Sequence, residues 1–269
     1  MSIRYVLLHK KIGQTPLQAI DTWRTTDSAY TSVPATYAGR LDPMAEGALL
    51  VLLGDECKRQ DRYRNLDKEY EIEVLLDLSS DTGDALGVPT YAEIKTVPKA
   101  DASAKALRAQ TGTHAVPYPA FSSKTVAGKP LFQYSLEGKL DSIEIPSHEE
   151  TIYRIKELAC VELSKEALNK RIQTMLSLAP RTDSPSKRLG EDFRQDRIRA
   201  AWDELFDALP DRSFFVLRLR VTCASGTYMR TLASRIGRAL GTTGMALSIR
   251  RTRIGRFSRL LRLWTREFR

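Results

Sequence analysis

Residues Lys68 to Leu78 read KEYEIEVLLDL. Tyr70, Ile72, Val74, Leu76 and Leu78 fall on one face, while Glu69, Glu71, Glu73 and Asp77 fall on the other, which is the two-residue period of a strand with one side against a core. A second alternating run, FFVLRLRVTC from Phe214 to Cys223, leads through the turn Ala224 to Thr227 into Met229, Leu232, Ala233, Ile236 and Leu240 at helical spacing. The unit there is strand, tight turn, helix. Ala48 to Leu53 (ALLVLL) is short, continuously apolar and flanked by Gly47 and Gly54, as expected of a strand covered on both faces.

Upstream, Tyr5 to Leu8 predicts an opening strand, and Thr15-Pro16-Leu17-Gln18 combines an N-cap, proline at the first helical position and a capping-box partner. Leu17, Ile20 and Trp23 give that helix its apolar stripe. Residues 26 to 47, rich in Thr, Ser, Pro and Gly, read as loop. Downstream of the polar turn DTGDALG (81 to 87) come a short helix around 101 to 110 and a Pro/Ser/Lys/Gly segment, Val116 to Lys129, that reads as a long surface arm with Tyr118, Phe121, Phe132 and Tyr134 in and after it. A strand near 151 to 163 precedes two helical patterns, one on Leu168, Ile172, Met175 and Leu176, the other on Ile198, Trp202, Leu205, Phe206 and Leu209. With the polar stretch PRTDSPSKRLGED between them, residues 164 to 212 read as an inserted helical hairpin, with ordinary core helices as the bland alternative.

The chain has 269 residues, 42% hydrophobic and 28% charged, enough for a sizeable core and incompatible with overall disorder. Cys57, Cys160 and Cys223 are odd in number and far apart, which argues against a disulfide framework. No apolar stretch approaches the roughly 18 to 20 residues needed to span a bilayer, so no membrane association and a cytoplasmic protein are expected. Net charge is +9, and Ser213 to Arg269 holds 13 Arg, no Lys and one acid, Glu267, giving +12 there against −3 for the rest. Arginine without lysine suits bidentate contact with phosphate, so nucleic acid is the leading partner class, with a solvated basic face as the bland alternative.

Metal and nucleophile readings find little support. His9, His114 and His148 have no ligand spacing with the cysteines, so no metal site is expected. No Walker-type or dinucleotide-type glycine loop follows a strand. Catalysis, if present, falls to carboxylates and arginines. In TYAGRLDPMAEG, residues 36 to 47, Gly39, Pro43 and Gly47 fix an unusual backbone around Asp42 at the mouth of an apolar strand. Asp before Pro is also an ordinary turn initiator, so this segment alone leaves both readings open.

Six blocks in order resemble the TruB-type pseudouridine synthases. YVLLHKKIGQTPLQAI (5 to 20) is similar to that family's opening strand and helix, and GRLDPMAEGALLVLLGDECK (39 to 58) to its catalytic block G-x-LDP-x-A-x-G-x-L. DKEYEIEVLLDLSSDTGDALG (67 to 87) resembles the KxY strand and its TDT-x-D-x-x-G turn. PAFSSKTVAGKPLFQYSLEG (119 to 138) resembles the RNA-gripping arm, with Phe121-Ser122 where Tyr-Ser is usual. VTCASGTYMRTLASRIGRALG (221 to 241) is similar to C-S-x-G-T-Y-I-R-T, and SIRRTRIGRF (248 to 257) to the closing L-R-R-T-x-x-G-x-F strand.

The resemblance implies a single α+β catalytic domain on a mixed, largely antiparallel sheet, with the gripping arm at about 117 to 150. It implies isomerisation of uridine to pseudouridine in the tRNA T-arm, at T-loop uridine 55, without a cofactor. A non-catalytic tRNA-binding or RNA-folding protein on the same fold is the alternative. A glycosidase would need a second carboxylate, for which only Glu46 is near in sequence. By motif, Asp42 is implied as the catalytic aspartate, Tyr70 as the tyrosine stacked on the target base, Tyr228 and Arg230 as the pair from the GTYxR block, with Arg230 the partner of Asp42, and Ile249 as the apolar wall. Tyr37 stands where a histidine is usual, and Arg40 where a small or polar residue is usual. The expectation is that Tyr37 fills the stack vacated by the flipped base, unless it merely packs the loop on the core. Arg250, Arg251, Arg253, Arg256, Arg259 and Lys124 are expected to contact RNA. The chain stops soon after its closing strand, so it is expected to lack the family's C-terminal PUA-type domain and to act as a monomer without a protein partner.

Overall fold

The alternating strands do not stand at an edge but form the middle of one sheet. The computed structural model describes residues 3–26, 28–92, 98–179 and 194–268. In chain order these contain β1 (Tyr5–Lys10), α1 (Pro16–Thr26), β2 (Ala35–Ala38), β3 (Ala45–Leu53), α2 (Asp61–Arg64), β4 (Asp67–Leu76), β5 (Leu78–Ser80), β6 (Pro89–Tyr91) and α3 (Ala100–Ala109). There follow β7 (Gly112–Pro117), β8 (Thr125–Val126), β9 (Lys129–Pro130), α4 (Leu131–Leu136), β10 (Ser147–Ser164), α5 (Lys165–Leu178), α6 (Gln195–Ala208), β11 (Ser213–Cys223), α7 (Met229–Ala239), β12 (Gly244–Ser258) and β13 (Leu263–Glu267). The main sheet has nine strands in the order β1-β3-β12-β4-β11-β10-β7, with β2 added to β3 and β13 to β12. Only the β12–β3 pairing is parallel. The α+β class and the mixed, largely antiparallel sheet are therefore as expected.

The two faces of β4 behave differently because their side chains do. Tyr70, Ile72, Val74 and Leu76 enter the main core, which α7 closes with Met229, Leu232, Ala233 and Ile236. On the other face the glutamates meet arginines of neighbouring strands: Glu73 pairs with Arg218 at 2.8 Å, Glu71 with Arg220 at 2.7 Å and Glu69 with Arg253 at 3.5 Å. Opposite charges in register favour this one alignment of the strands. Asp77 leaves the alternation. It takes a positive φ of 70°, is fully buried, and accepts hydrogen bonds from Arg212 and from Thr242 Oγ1.

Several local expectations need correcting. The tract 26 to 47, read as loop, contains β2 and the first residues of β3, because a four-residue strand between Pro34 and Gly39 is too short to show a period. Gly47 does not flank β3 but lies inside it at φ +104°, where a Cβ would sit 2.3 Å from the Arg251 carbonyl oxygen. Helix α1 starts with the expected capping box, Gln18 N–H donating to Thr15 Oγ1 at 3.1 Å and Thr15 N–H to Gln18 Oε1 at 2.7 Å. Ile20 is buried and Trp23 packs beside it as expected, but Leu17 is 59% exposed and Pro16 and Ala19 are buried in its place. The apolar residues of α5 and α6 join the main core, and Trp202, fully buried, donates its indole N–H to the Ala85 carbonyl at 3.1 Å. The stretch PRTDSPSKRLGED lies outside the described residues. No described helix is long and apolar enough to cross a membrane.

Candidate active site

Asp42 uses its backbone and its side chain separately. Its carbonyl accepts from Ala45 N–H at 3.0 Å, closing the Asp-Pro turn between β2 and β3. Its carboxylate points away from that turn and meets Arg230. Two buried cations hold the loop from behind. Lys10, at the end of β1 and fully buried, donates to the Ala45 carbonyl at 2.6 Å and to the Lys11 carbonyl at 3.1 Å. Arg251 of β12, 1% exposed, donates Nε–H to the Ala48 carbonyl at 2.7 Å and Nη2–H to the Gly39 carbonyl at 3.1 Å. Arg251 is thus removed from the expected RNA contacts, since its guanidinium is spent on loop carbonyls on both sides of Asp42.

Arg230, the second residue of α7, joins three chain segments. Its Nε–H donates to Asp42 Oδ2 at 3.0 Å, Nη1–H to the Thr82 carbonyl at 2.7 Å and Nη2–H to the Phe121 carbonyl at 3.1 Å. Asp84 Oδ2 lies 3.6 Å from Nε. A cationic side chain near the start of a helix opposes the dipole there, and two carboxylates offset that cost. The Arg230 and Asp84 side chains are each 7% exposed, whereas that of Asp42 is 37% exposed and open to a substrate. Burial pushes the Asp84 carboxyl above the usual range, with Arg230 opposing the shift. Gly83, at φ +75°, lets the 81 to 87 turn press on Arg230, where a Cβ would come within 3.3 Å of the Arg230 Cβ.

Tyr70 and Tyr228 lie within reach of the Asp42 charge. Tyr70, 8% exposed, sits on the core face of β4 in register with Arg251, and burial raises its phenol. Tyr228 caps α7. Its backbone N–H donates to Glu150 Oε1 at 2.8 Å and its ring stands edge-on to His148 and Tyr118. Burial raises its hydroxyl, and the nearby Asp42 charge adds to the shift. Ile249, 5% exposed, is aligned with Ile72 on one side and Ala45 on the other. Tyr37 packs beside Ala19, Ile20, Leu49 and Val51, and it also borders a surface pocket of about 380 Å³ with Gly39, Arg40 and Gln60. Glu46 is turned toward His9, 3.7 Å away on β1. Lys124 is exposed, its Nζ 5.0 Å above the Tyr118 ring. Arg250, Arg253, Arg256 and Arg259 are exposed, although Arg253 is paired with Glu69 and Glu267 and Arg259 lies over Tyr153. No group of three or more His, Cys, Asp or Glu among the described residues could hold a metal.

Residues 29–175, more than half of the chain, match the model of the TruB family pseudouridylate synthase N-terminal domain. The chain belongs to the TruB family. The tRNA pseudouridine synthase B of Aromatoleum aromaticum is 32% identical over 256 residues, covering 94% of this chain and 63% of that protein. The synthase B of Burkholderia mallei is 28% identical over 251 residues, covering 93% and 64%. This TruB-family chain thus spans just under two thirds of the length of these relatives. In fold it is similar to a chain in the crystal structure of a Cbf5-Nop10-Gar1 complex, with a TM-score of 0.54 at 17% identity over 94% of this chain and 49% of the other.

Asp84, Lys10 and Glu150 were not read as site residues. Asp84 could have been, since it falls on the second aspartate of the TDT-x-D-x-x-G turn, whereas Lys10 follows an apolar run and its burial leaves no local mark. Burial lowers both Lys10 and Lys68 from the usual 10.5 to about 8. Since the folded values lie below the unfolded one, the contribution of these amines to stability is complete above about 10.5 and is lost as pH falls through about 8. Turnover should respond in the opposite sense, because the ammonium of Lys10 is what grips the loop carbonyls. We expect activity to decline as pH rises through about 8 while the melting temperature does not fall with it. Lys10→Arg should move that decline upward, and a pH–rate profile unchanged by Lys10→Arg would remove Lys10 from this role.

Proposed function

We propose that the chain isomerises uridine to pseudouridine in the T-arm of tRNA, at the T-loop uridine, acting as a monomer in the cytoplasm. The observation that carries this reading is the half-open Asp42 carboxylate at 3.0 Å from a buried Arg230, beside Tyr70. The target nucleotide leaves its stack, at a cost of a few kcal/mol, and Tyr70 stacks on the extruded base, offsetting roughly 1 to 3 kcal/mol. Asp42 then acts at the sugar–base junction, as nucleophile on C1′ or as base on the C2′ proton. The N1–C1′ bond breaks, the retained uracil turns, C5 bonds to C1′ as Asp42 is released from C1′ or its proton is returned to C2′, and the proton lost from C5 is matched by one taken up at N1, so no oxidant or reductant is consumed. Arg230 keeps Asp42 ionised where loss of water would otherwise favour its neutral form.

Ile249 and Tyr228 form the walls against which the base turns, and Tyr37 fills the vacated stack. Lys124, Arg250 and Arg256, all exposed, contact phosphates, whereas Arg259 is held over Tyr153. The test is incubation with unmodified tRNA followed by position-resolved detection of pseudouridine. Conversion confined to the T-loop uridine is expected, and absence of pseudouridine with tRNA still bound would favour an RNA-binding protein without activity.

A further inference from the structure

Beyond the isomerase reading, we propose that the groove on the side of the sheet away from Asp42 is a separate binding site for single-stranded RNA, taking its phosphates and at least one unpaired base. The strand alternation separates the two sites: on β4, Tyr70 faces the core and Asp42, while Glu69 lines the groove. The groove, about 430 Å³, is walled by Arg154, Lys156, Arg220, Arg253, Arg262 and Trp264.

Its charges are not balanced from within. Arg220 is taken up by Glu71, and Arg253 by Glu69 and Glu267. Among the described residues, Arg154, Lys156 and Arg262 form no ion pair. Lys156 lies directly opposite Arg220 in the β10–β11 register, an unfavourable like-charge pair that an anionic ligand would relieve. Arg262 is held in the turn between β12 and β13 at φ +53°, a conformation uncommon for a side-chain-bearing residue. These three cations come from two separate elements, so they call for more than one phosphate.

Beside them lies an aromatic wall. Tyr153 falls at the bulge between Ile152 and Arg154, which re-aims it across the sheet to stack on Phe257 of β12 at 5.6 Å, although β11 and β4 lie between their strands. Phe257 in turn meets the Trp264 ring edge-on at 5.5 Å. Trp264 is half-buried and lines the groove. Arginines interleaved with stackable rings suit an unpaired nucleotide chain better than a duplex, whose bases are not free to stack on protein.

The probe is an oligoadenylate of about twelve nucleotides, which offers no uridine to the Asp42 site. The double variant Arg154→Glu/Lys156→Glu, at two exposed positions, should weaken its binding at least tenfold and lower the log–log salt slope by about 1.4, about 0.7 for each phosphate that is no longer neutralised. Trp264→Ala should weaken it about tenfold with the slope unchanged, and Trp264→Phe should restore most of the loss. Turnover of an isolated T-arm hairpin should stay within about twofold in these variants, whereas Asp42→Asn should leave oligoadenylate binding intact. The two readings therefore fail separately. Oligoadenylate affinity unaffected by the double charge reversal would overturn the site, as would equal binding of adenosine monophosphate.

Discussion

Asp42→Asn is expected to lower pseudouridine formation by at least about a thousandfold while leaving the fold and tRNA affinity close to those of the parent. The amide is nearly the same size as the carboxylate and keeps an oxygen to accept from Arg230 Nε–H, so the three-segment junction is preserved. What it loses is the negative charge, and with it any capacity to attack C1′ or take a proton. The side chain is more than a third exposed, which limits the stability effect, and Arg230 retains the Thr82 and Phe121 carbonyls. Single-turnover assays read by position-resolved detection, with gel-shift affinity alongside, check both halves. Turnover near the parent rate would remove Asp42 from the chemistry.

How much of this could be read from the sequence depended on whether a residue's partner was local. The β4 and β11 strands were legible because their alternation carries both a core face and a charged face that pairs across strands. The capping box of α1 is satisfied within four residues, and it too was legible. Strand β2 was not, because Ala-Thr-Tyr-Ala shows no period and its hydrogen bonds lie in β3. Arg251 shows the same limit at the site. In sequence it is one of several C-terminal arginines, and nothing in RRTR distinguishes it from its exposed neighbours. Its partners are carbonyls about 200 residues earlier, reached because Arg251 aligns with Gly47 in the parallel β12–β3 pairing. Charge was readable and its destination was not. The resemblance to a family placed Asp42 and Arg230 together, whereas Asp84, although part of the family's turn motif, emerged only once the turn after β5 was seen to close on α7.

Arg230→Ala should lower both turnover and stability, in a way that separates its two tasks. Removing one positioned donor from a water-poor site typically costs about 10²- to 10³-fold in turnover, and that loss is expected here with tRNA affinity within a few-fold of the parent. Stability should fall as well, by about 3 to 5 kcal/mol, because Asp84 remains buried without its cation. The carboxyl of Asp84 is already pushed upward by burial, and loss of Arg230 removes what opposes that shift. Its folded value then rises further above the unfolded one, so the variant should recover stability as pH falls and lose it as pH rises through the folded value. Adding Asp84→Asn takes away the unpaired charge and should restore part of the melting temperature without restoring turnover, since Asp42 still lacks its partner. Melting curves against pH and single-turnover rates for the single and double variants test this. If the double variant were no more stable than Arg230→Ala, or if Arg230→Ala weakened tRNA binding as much as it slowed turnover, Arg230 would be a phosphate contact and not the link between Asp42 and the turn that holds Asp84.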